Sequence, residues 1–471
     1  MREKDFPQLY FMVNGRKEKM SDHLFVRGPS GEIIRNGIGI ASSPATETLH
    51  QWRELWKYGA GYIVIKTANH EMTYSSPLQT RINTYKEGAL TTLENIGKTS
   101  IEQKPIEELV SEIKTAREEG IFVIPSIASK NPDLSVWQSM IDAVSSTGVP
   151  YFESTLRYPY RGIMQQVVNE LRAAYDYFDF DYNEYSVGIT PIGICEKTGL
   201  NPRYIETETN RRFEIFLKLV GEYSKQKGIG MIAKLWGGRH DIPALVATCA
   251  LAGMKGITLV NSFQSPPLRE FPDMKEYKRA NVSGGDLRRI RNSSLEAVAR
   301  TFVDNKFPRI TLFASGGVAV ELASKDRQNV DRAIDDIILC LELGADMVQL
   351  YTAIHQDYTL LGTLIRELGL KLEEDKTFKD LGQDRSRFTG QNRPIYRLFR
   401  INQDTCIGCG ICEKTTYCDA IWPSSRQAAA VNKKLSTFEI HLDDCTGCGL
   451  CATVCPVENT IVPFHKERGK E

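Results

Sequence analysis

Eleven cysteines occur in this chain of 471 residues, and eight of them crowd between Cys406 and Cys455. The stretch CIGCGICEKTTYC supplies Cys406, Cys409, Cys412 and Cys418, and the stretch CTGCGLCATVCP supplies Cys445, Cys448, Cys451 and Cys455, followed by Pro456. Three thiolates spaced two residues apart wrap three corners of one iron–sulfur cube, and the fourth cysteine lies too far along to close the same cube. On that spacing Cys406, Cys409, Cys412 and Cys455 hold one 4Fe–4S cluster, and Cys445, Cys448, Cys451 and Cys418 hold another. Gly408, Gly410, Gly447 and Gly449 stand between ligands, where the backbone must curl and aim N–H groups at sulfur. The alternative, two zinc sites, is disfavoured because zinc knuckles use paired CxxC units without a remote Cys-Pro. The first run has five residues before Cys418 and Asp419 in place of proline, which predicts a local loop with the ligand retained.

The remaining cysteines, Cys195, Cys249 and Cys340, are scattered and read as buried small hydrophobes. Lys+Arg and Asp+Glu both count 59, so no charge excess draws nucleic acid or an anionic membrane. No run of about 18 apolar residues is present, and the opening MREKDFPQLY has no signal-peptide core. A cytoplasmic protein is expected, in a reducing compartment where clustered thiols serve metals more often than disulfides.

Elements able to position chemistry fill the first 370 residues. Eight short apolar runs read as strands: 37–42, 62–67, 122–127, 150–155, 230–235, 257–262, 310–315 and 346–351. Between them lie segments with apolar residues at three-to-four spacing, several of which end in glycine, a helix stop. Eight strand–helix units predict a (β/α)8 TIM barrel; a doubly wound sheet is the alternative, without a GxGxxG after the first strand. Barrel chemistry sits on the loops after the strands. Those loops here carry Ala41, Ser42, Lys66, Thr67, Ser126, Thr155, Lys234, Asn261, Ser262, Ser315, Gly316, Gly317, Tyr351 and Thr352. ASGG after the seventh strand and LYTA after the eighth offer backbone amides for a phosphate, and VSGGD, with Gly284, offers more from a loop before the seventh strand. Lys66 and Lys234 follow apolar stretches and point into the mouth, where a cation holds the charge that a reduced flavin develops at its N1 edge.

The ordered motifs ASSPAT, GAGYIVIKT, NPDLSVW, ESTLRYP, AKL, VNS, VSG, FASGG and GADMVQLYTA resemble the FMN barrel of dihydroorotate dehydrogenases. With the eight-cysteine segment the chain resembles the C-terminal half of dihydropyrimidine dehydrogenase, in which an FMN barrel is fused to a two-cluster ferredoxin domain. The resemblance implies FMN contacts at Ala41, Ser42, Lys66, Thr67, Lys234, Asn261 and Gly284, and phosphate contacts at Ser315, Gly316, Gly317, Tyr351 and Thr352. It implies substrate contacts at Asn83, Asn261 and Ser262. The family's loop after strand four reads roughly ELNLSCPH; here it is ESTLRYPYRG, with Thr155 replacing the substrate-binding Asn, Arg157 the Ser and Tyr158 the Cys. Tyr158 is then the candidate proton donor, or else an aromatic cover for the flavin. Arg157 and Arg161 favour an anionic substrate. A long insertion at 163–205, rich in tyrosine and acids, forms a lid or a contact between two copies, and a homodimer is expected.

The expected organisation is an FMN barrel over 1–370, a linker over 371–397 and a small α+β, bacterial-type ferredoxin domain over 398–471. The expected activity is reduction, or reversible dehydrogenation, of an activated C=C bond of a small anionic substrate, with electrons passing through two 4Fe–4S clusters. Two other readings stay open: a dihydropyrimidine or dihydroorotate dehydrogenase with an altered loop, and an electron-transfer subunit with a non-catalytic barrel. No nicotinamide fingerprint is present, so a ferredoxin or an NAD(P)H-oxidising flavoprotein subunit is the expected electron partner.

Overall fold

A computed structural model describes residues 10–69, 79–83, 92–96, 105–175, 202–236, 242–265, 280–305, 310–323, 327–355, 357–375, 398–416, 420–428, 435–442, 445, 451–452, 455–457 and 459–464. Its centre is a parallel sheet of β1 (Ile38–Ile40), β2 (Tyr62–Val64), β3, β4 (Tyr151–Thr155), β5 (Gly230–Leu235), β6 (Gly256–Leu259), β7 (Thr311–Ser315) and β8 (Met347–Leu350). Pro125, which has no N–H to give the ladder, splits β3 into Val123–Ile124 and Ser126–Ile127. The first piece pairs with β2 and the second with β4, and Glu153 N donates to Pro125 O at 2.8 Å. The two ends of the sheet are therefore one strand, and the sheet closes on itself as the (β/α)8 barrel that the alternating runs predict.

Each barrel strand is followed by a helix: α1 (Leu49–Lys57), α2 (Ile106–Glu118), α3 (Leu134–Ser145), α4 (Arg157–Tyr175) with α5 (Pro202–Gln226), α6 (Ile242–Leu251), α7 (Arg288–Asn305), α8 (Arg327–Glu342) and α9 (Thr359–Asp375). Local chemistry sets these starts. Thr48 and Gln51 form a capping box at α1, whose Trp52, Leu55 and Trp56 then fall on the buried face. Asp133 caps α3 through Ser135 N, ahead of buried Trp137, Met140, Ile141 and Val144. Inside the barrel, aromatic rings lie over strand glycines. A Cβ on Gly39 would lie 2.2 Å from the Tyr62 ring, and one on Gly256 would lie 2.8 Å from that of Phe313. The two rings meet edge to face, 5.7 Å between centroids. No described helix is long and apolar enough to cross a membrane.

The structure departs from the sequence reading in three places. VSGGD is not a loop: Ala280–Gly284 is a strand of a four-stranded antiparallel sheet with Phe263–Ser265, Thr92–Ile96 and Gln79–Asn83. ESTLRYPYRG is not a loop either, because β4 passes into α4 at Arg157, and the helix carries the chain through most of the first part of the expected lid. Residues 176–201 of that lid lie outside the described residues, as does most of the expected linker, and 202–205 begin α5. The closing helix α9 runs to Asp375, past the expected barrel edge at 370.

In the C-terminal unit, Leu398–Ile401 pairs antiparallel with Ile461–Phe464, next to helix α10 (Ile411–Thr416) and a hairpin of Ile421–Gln427 with Ser436–Ile440. Changing Gly39 to Ala drives a methyl into the Tyr62 ring, and such overpacking should cost about 1–3 kcal/mol. Urea denaturation measures it, and an unchanged midpoint would show that the ring is not packed against β1.

Candidate active site and iron–sulfur centre

Side chains alternate along a strand, so the inward positions of β4, β5, β6 and β8 are fixed by register. They bring together Glu153, Lys234, Thr258 and Gln349. Lys234 Nζ lies 3.1 Å from Glu153 Oε1, and Thr258 Oγ1 donates to Glu153 Oε2 at 2.8 Å. Gln349 Nε2 approaches the same oxygen at 3.4 Å, and its own Oε1 is buried without a hydrogen-bond partner among the described residues. Glu153 is 0% exposed and Lys234 4%. Lys66 is also paired, 2.7 Å from Oε1 of the more exposed Glu47. Each of the two lysines is matched by a carboxylate that sequence reasoning missed. The missed signal was the register of PYFEST, which turns Glu153 inward two residues before Thr155.

Hydroxyls bridge the ends of β1, β2 and β3. Ser42 Oγ lies 3.0 Å from Thr67 Oγ1, which lies 3.0 Å from Ser126 Oγ. Ala41, beside them, donates its N–H to Leu350 O of β8 at 2.8 Å. After β7, Ser315 is buried, and Gly316 and Gly317 hold φ of 89° and 70°, a left-handed turn suited to glycine. A Cβ on Gly317 would lie 2.5 Å from Gly284 O and 3.0 Å from Arg288 N, so VSGGD and ASGG, distant in sequence, are packed together. Thr352 is buried after β8, and the Tyr351 ring meets His355 edge to face.

At the end of β4, Thr155 is buried, and Leu156 N donates to Lys234 O at 3.2 Å. Arg157 opens α4, where burial pushes its guanidinium down to about 10. Tyr158 follows it, half-buried, on the same helical turn. Tyr160 donates to Asn210 Oδ1 at 3.0 Å and meets Phe213 edge to face, which makes an aromatic wall between α4 and α5. Lys130, on the neighbouring loop, has its ammonium pushed down by burial and then by the Arg161 cation. After β6, Asn261 Oδ1 accepts Ser262 N–H at 2.9 Å. Asn83 ends the strand Gln79–Asn83, and its side chain lies outside the description.

In the C-terminal unit, the Ile401–Ile461 pairing sets the first cysteine run beside the last cysteine. Asn402 N donates to Thr460 O at 2.7 Å, and Thr460 Oγ1 to Thr405 Oγ1 at 2.9 Å. Burial pushes the Cys412 thiol up to about 12, and the sulfurs of Cys409, Cys406 and Cys455 add to the shift. Those four thiols are therefore neighbours, including the remote Cys455. Among the described residues no three His, Cys, Asp or Glu side chains converge on a single-ion site; thiols around a cube stand further apart than those around one ion. Cys445 and Cys451 are half-buried and buried, and Cys418 and Cys448 lie outside the described residues. Helix α10, which carries Cys412, packs against Phe263–Ser265, and the Arg289 guanidinium of α7 lies 4.3 Å over the Phe399 ring. Cys249 and Cys340 are buried in the barrel, as expected, while Cys195 lies outside the described residues.

Residues 399–462 match the family of 4Fe-4S dicluster domains. The C-terminal unit is thus an iron–sulfur cluster domain. Among solved structures the chain is similar to DHODH from Eimeria tenella, crystallised in complex with ferulenol, at 12% identity and a TM-score of 0.46, over 77% of this chain and 89% of that one. No curated protein matches.

Breaking the buried pair strands a charge. Lys234→Met should destabilise the barrel by about 3–5 kcal/mol, and adding Glu153→Leu should restore most of that loss. Urea titration of the two variants decides it; a double variant as unstable as the single one would mean that the pair does not act as a unit.

Proposed function

We propose that the chain is an FMN- and iron–sulfur-dependent oxidoreductase that reduces, or reversibly dehydrogenates, an activated C=C bond of a small anionic substrate. The observation that carries this reading is the seating of the cluster-bearing unit: α10 packs on the strand that follows Asn261 and Ser262 at the barrel mouth. An electron carrier docked at the open end of a barrel suits a redox ligand held inside that end.

The mouth fits a flavin with a phosphate. Gln349 Oε1 and Ser283 Oγ are buried polar atoms without hydrogen-bond partners among the described residues, and the tightly packed glycine turn offers amides. Ala41, Ser42, Lys66, Thr67, Lys234 and Asn261 would hold the ring and its side chain. Gly284, Ser315, Gly316, Gly317, Tyr351 and Thr352 would hold the phosphate. When bound, FMN supplies exchange between single electrons from the clusters and a hydride to carbon.

The chain's own groups supply the rest. Because Glu153 and Glu47 balance Lys234 and Lys66, the lysines direct donors at the ligand without flooding the pocket with charge. Thr155, Arg157, Asn261 and Ser262, with Asn83 from the accessory sheet, are the substrate-binding set. Arg157, Arg161 and Lys130 attract an anion such as a carboxylate, which the low polarity around Arg157 strengthens. Tyr158, on the first turn of α4, is the proposed donor of the proton to carbon. A ferredoxin or an NAD(P)H-oxidising subunit is the proposed electron partner.

Bleaching the bound flavin with dithionite and adding candidate acceptors tests the reading. Unsaturated carboxylic acids should restore the flavin colour. Recovery with uracil or orotate instead would return the chain to the pyrimidine-type enzymes it resembles, and a chain that holds no flavin ends the proposal. Tyr158→Phe should slow reoxidation by about 10²-fold or more while leaving the bleaching by dithionite unchanged; an undiminished rate removes Tyr158 as the acid.

A further inference from the structure

Below the ASGG turn lies a group of charges that the proposed chemistry does not use. Arg291 is 0% exposed and Asp336 5%. Arg291 Nη2 and Nη1 reach Asp336 Oδ1 and Oδ2 at 2.7 and 3.1 Å. Arg288 forks onto Glu321 at 2.5 and 2.7 Å, and its Nε lies 3.1 Å from Asp336 Oδ1. Two cations face two carboxylates, so the group has no net charge with which to attract an anion. Buried ion pairs of this kind seldom add stability over apolar packing. What the group does have is direction.

That direction is toward the turn. Arg291 Nη1 approaches Gly316 O and Arg288 Nε approaches Gly317 O, each at 3.4 Å, while Asp336 Oδ2 accepts Ala319 N–H at 2.9 Å. In a trans peptide the C=O and the following N–H point in opposite directions. With the carbonyls of Gly316 and Gly317 drawn to the arginines, the N–H groups of Gly317 and Val318 point the other way. Two successive amides aimed together form an anion nest. The Ala319 amide, held by Asp336, is turned back to the clamp.

We infer that Arg288 and Arg291, braced by Glu321 and Asp336, are positioning residues that aim the Gly317 and Val318 amides at the phosphate of the bound ligand. The inference rests on the proposed flavin site and adds to it the residues that set its affinity for phosphate.

The test uses the full chain freed of flavin, titrated with FMN and with riboflavin, which lacks the phosphate. The quantity read is the dissociation constant of riboflavin divided by that of FMN. Arg291→Lys keeps the charge and loses the fork, and Arg288→Lys makes the same change at the less buried position, which guards against a variant that does not fold. Each should lower the ratio by about tenfold, near 1.4 kcal/mol of phosphate binding, with riboflavin affinity unchanged. Thermal melting confirms that the variants are folded. A ratio equal to that of the unchanged protein overturns the inference, and so does an equal loss for both flavins, which would mark the clamp as merely structural. An unchanged protein that binds both flavins equally tightly overturns this inference and the phosphate contacts it rests on, and leaves the flavin ring site standing. One that binds neither overturns the flavin site together with it.

Discussion

In a closed parallel barrel every strand is hydrogen-bonded on both sides, so a strand side chain has two destinations: the interior or the helix layer. Closure here depends on one interrupted strand, whose halves at Val123–Ile124 and Ser126–Ile127 face different neighbours across Pro125. Once closed, the register decides which residues meet. Glu153 pairs with Ile232 and Ser126 in the ladder, and Thr155 with Lys234. That stagger brings the Lys234 ammonium back to the carboxylate one layer below its own backbone.

Buried charge is costly, and the barrel shows how it is contained. Glu153 has three partners from three other strands, so its charge is spread over a fixed set of donors. The same solution recurs beneath the ASGG turn, where Asp336 sits between two arginines. In both places an acid on one element fixes a base on another, and the base in turn lies beside a strand end or turn. The Asp336 carboxyl, despite its burial, is held below the usual carboxylate range by Arg291 and Arg288.

Most of this was legible where the signal is periodic. The eight strands sit on the apolar runs because parallel strands are buried on both faces and read as continuous hydrophobic stretches. The paired acids were not legible. Glu153 sits in a run that otherwise reads as apolar strand, and its partners Lys234, Thr258 and Gln349 come from positions 81, 105 and 196 residues away. The accessory sheet escaped for a related reason. Its strands come from the segments after β2 and β6, and antiparallel pairing such as Val282 with Glu94 leaves no local mark. The segment after β4 reads as a loop by resemblance, yet its Pro159 lies in the first turn of α4, where proline is tolerated.

The iron–sulfur unit obeys a constraint of its own, set by the meeting of its ends. The Leu398–Ile401 and Ile461–Phe464 pairing cannot form without carrying Cys406 and Cys455 to the same end of that small sheet, since each lies a few residues outside it. A fourth ligand borrowed from the far run is therefore a consequence of chain topology as much as of cysteine spacing. The same unit sets one of its helices against the barrel. Cys412 rides on α10, and α10 rests on Phe263–Ser265. On the proposed ligand sets, the cluster of Cys406, Cys409, Cys412 and Cys455 is the one beside the mouth.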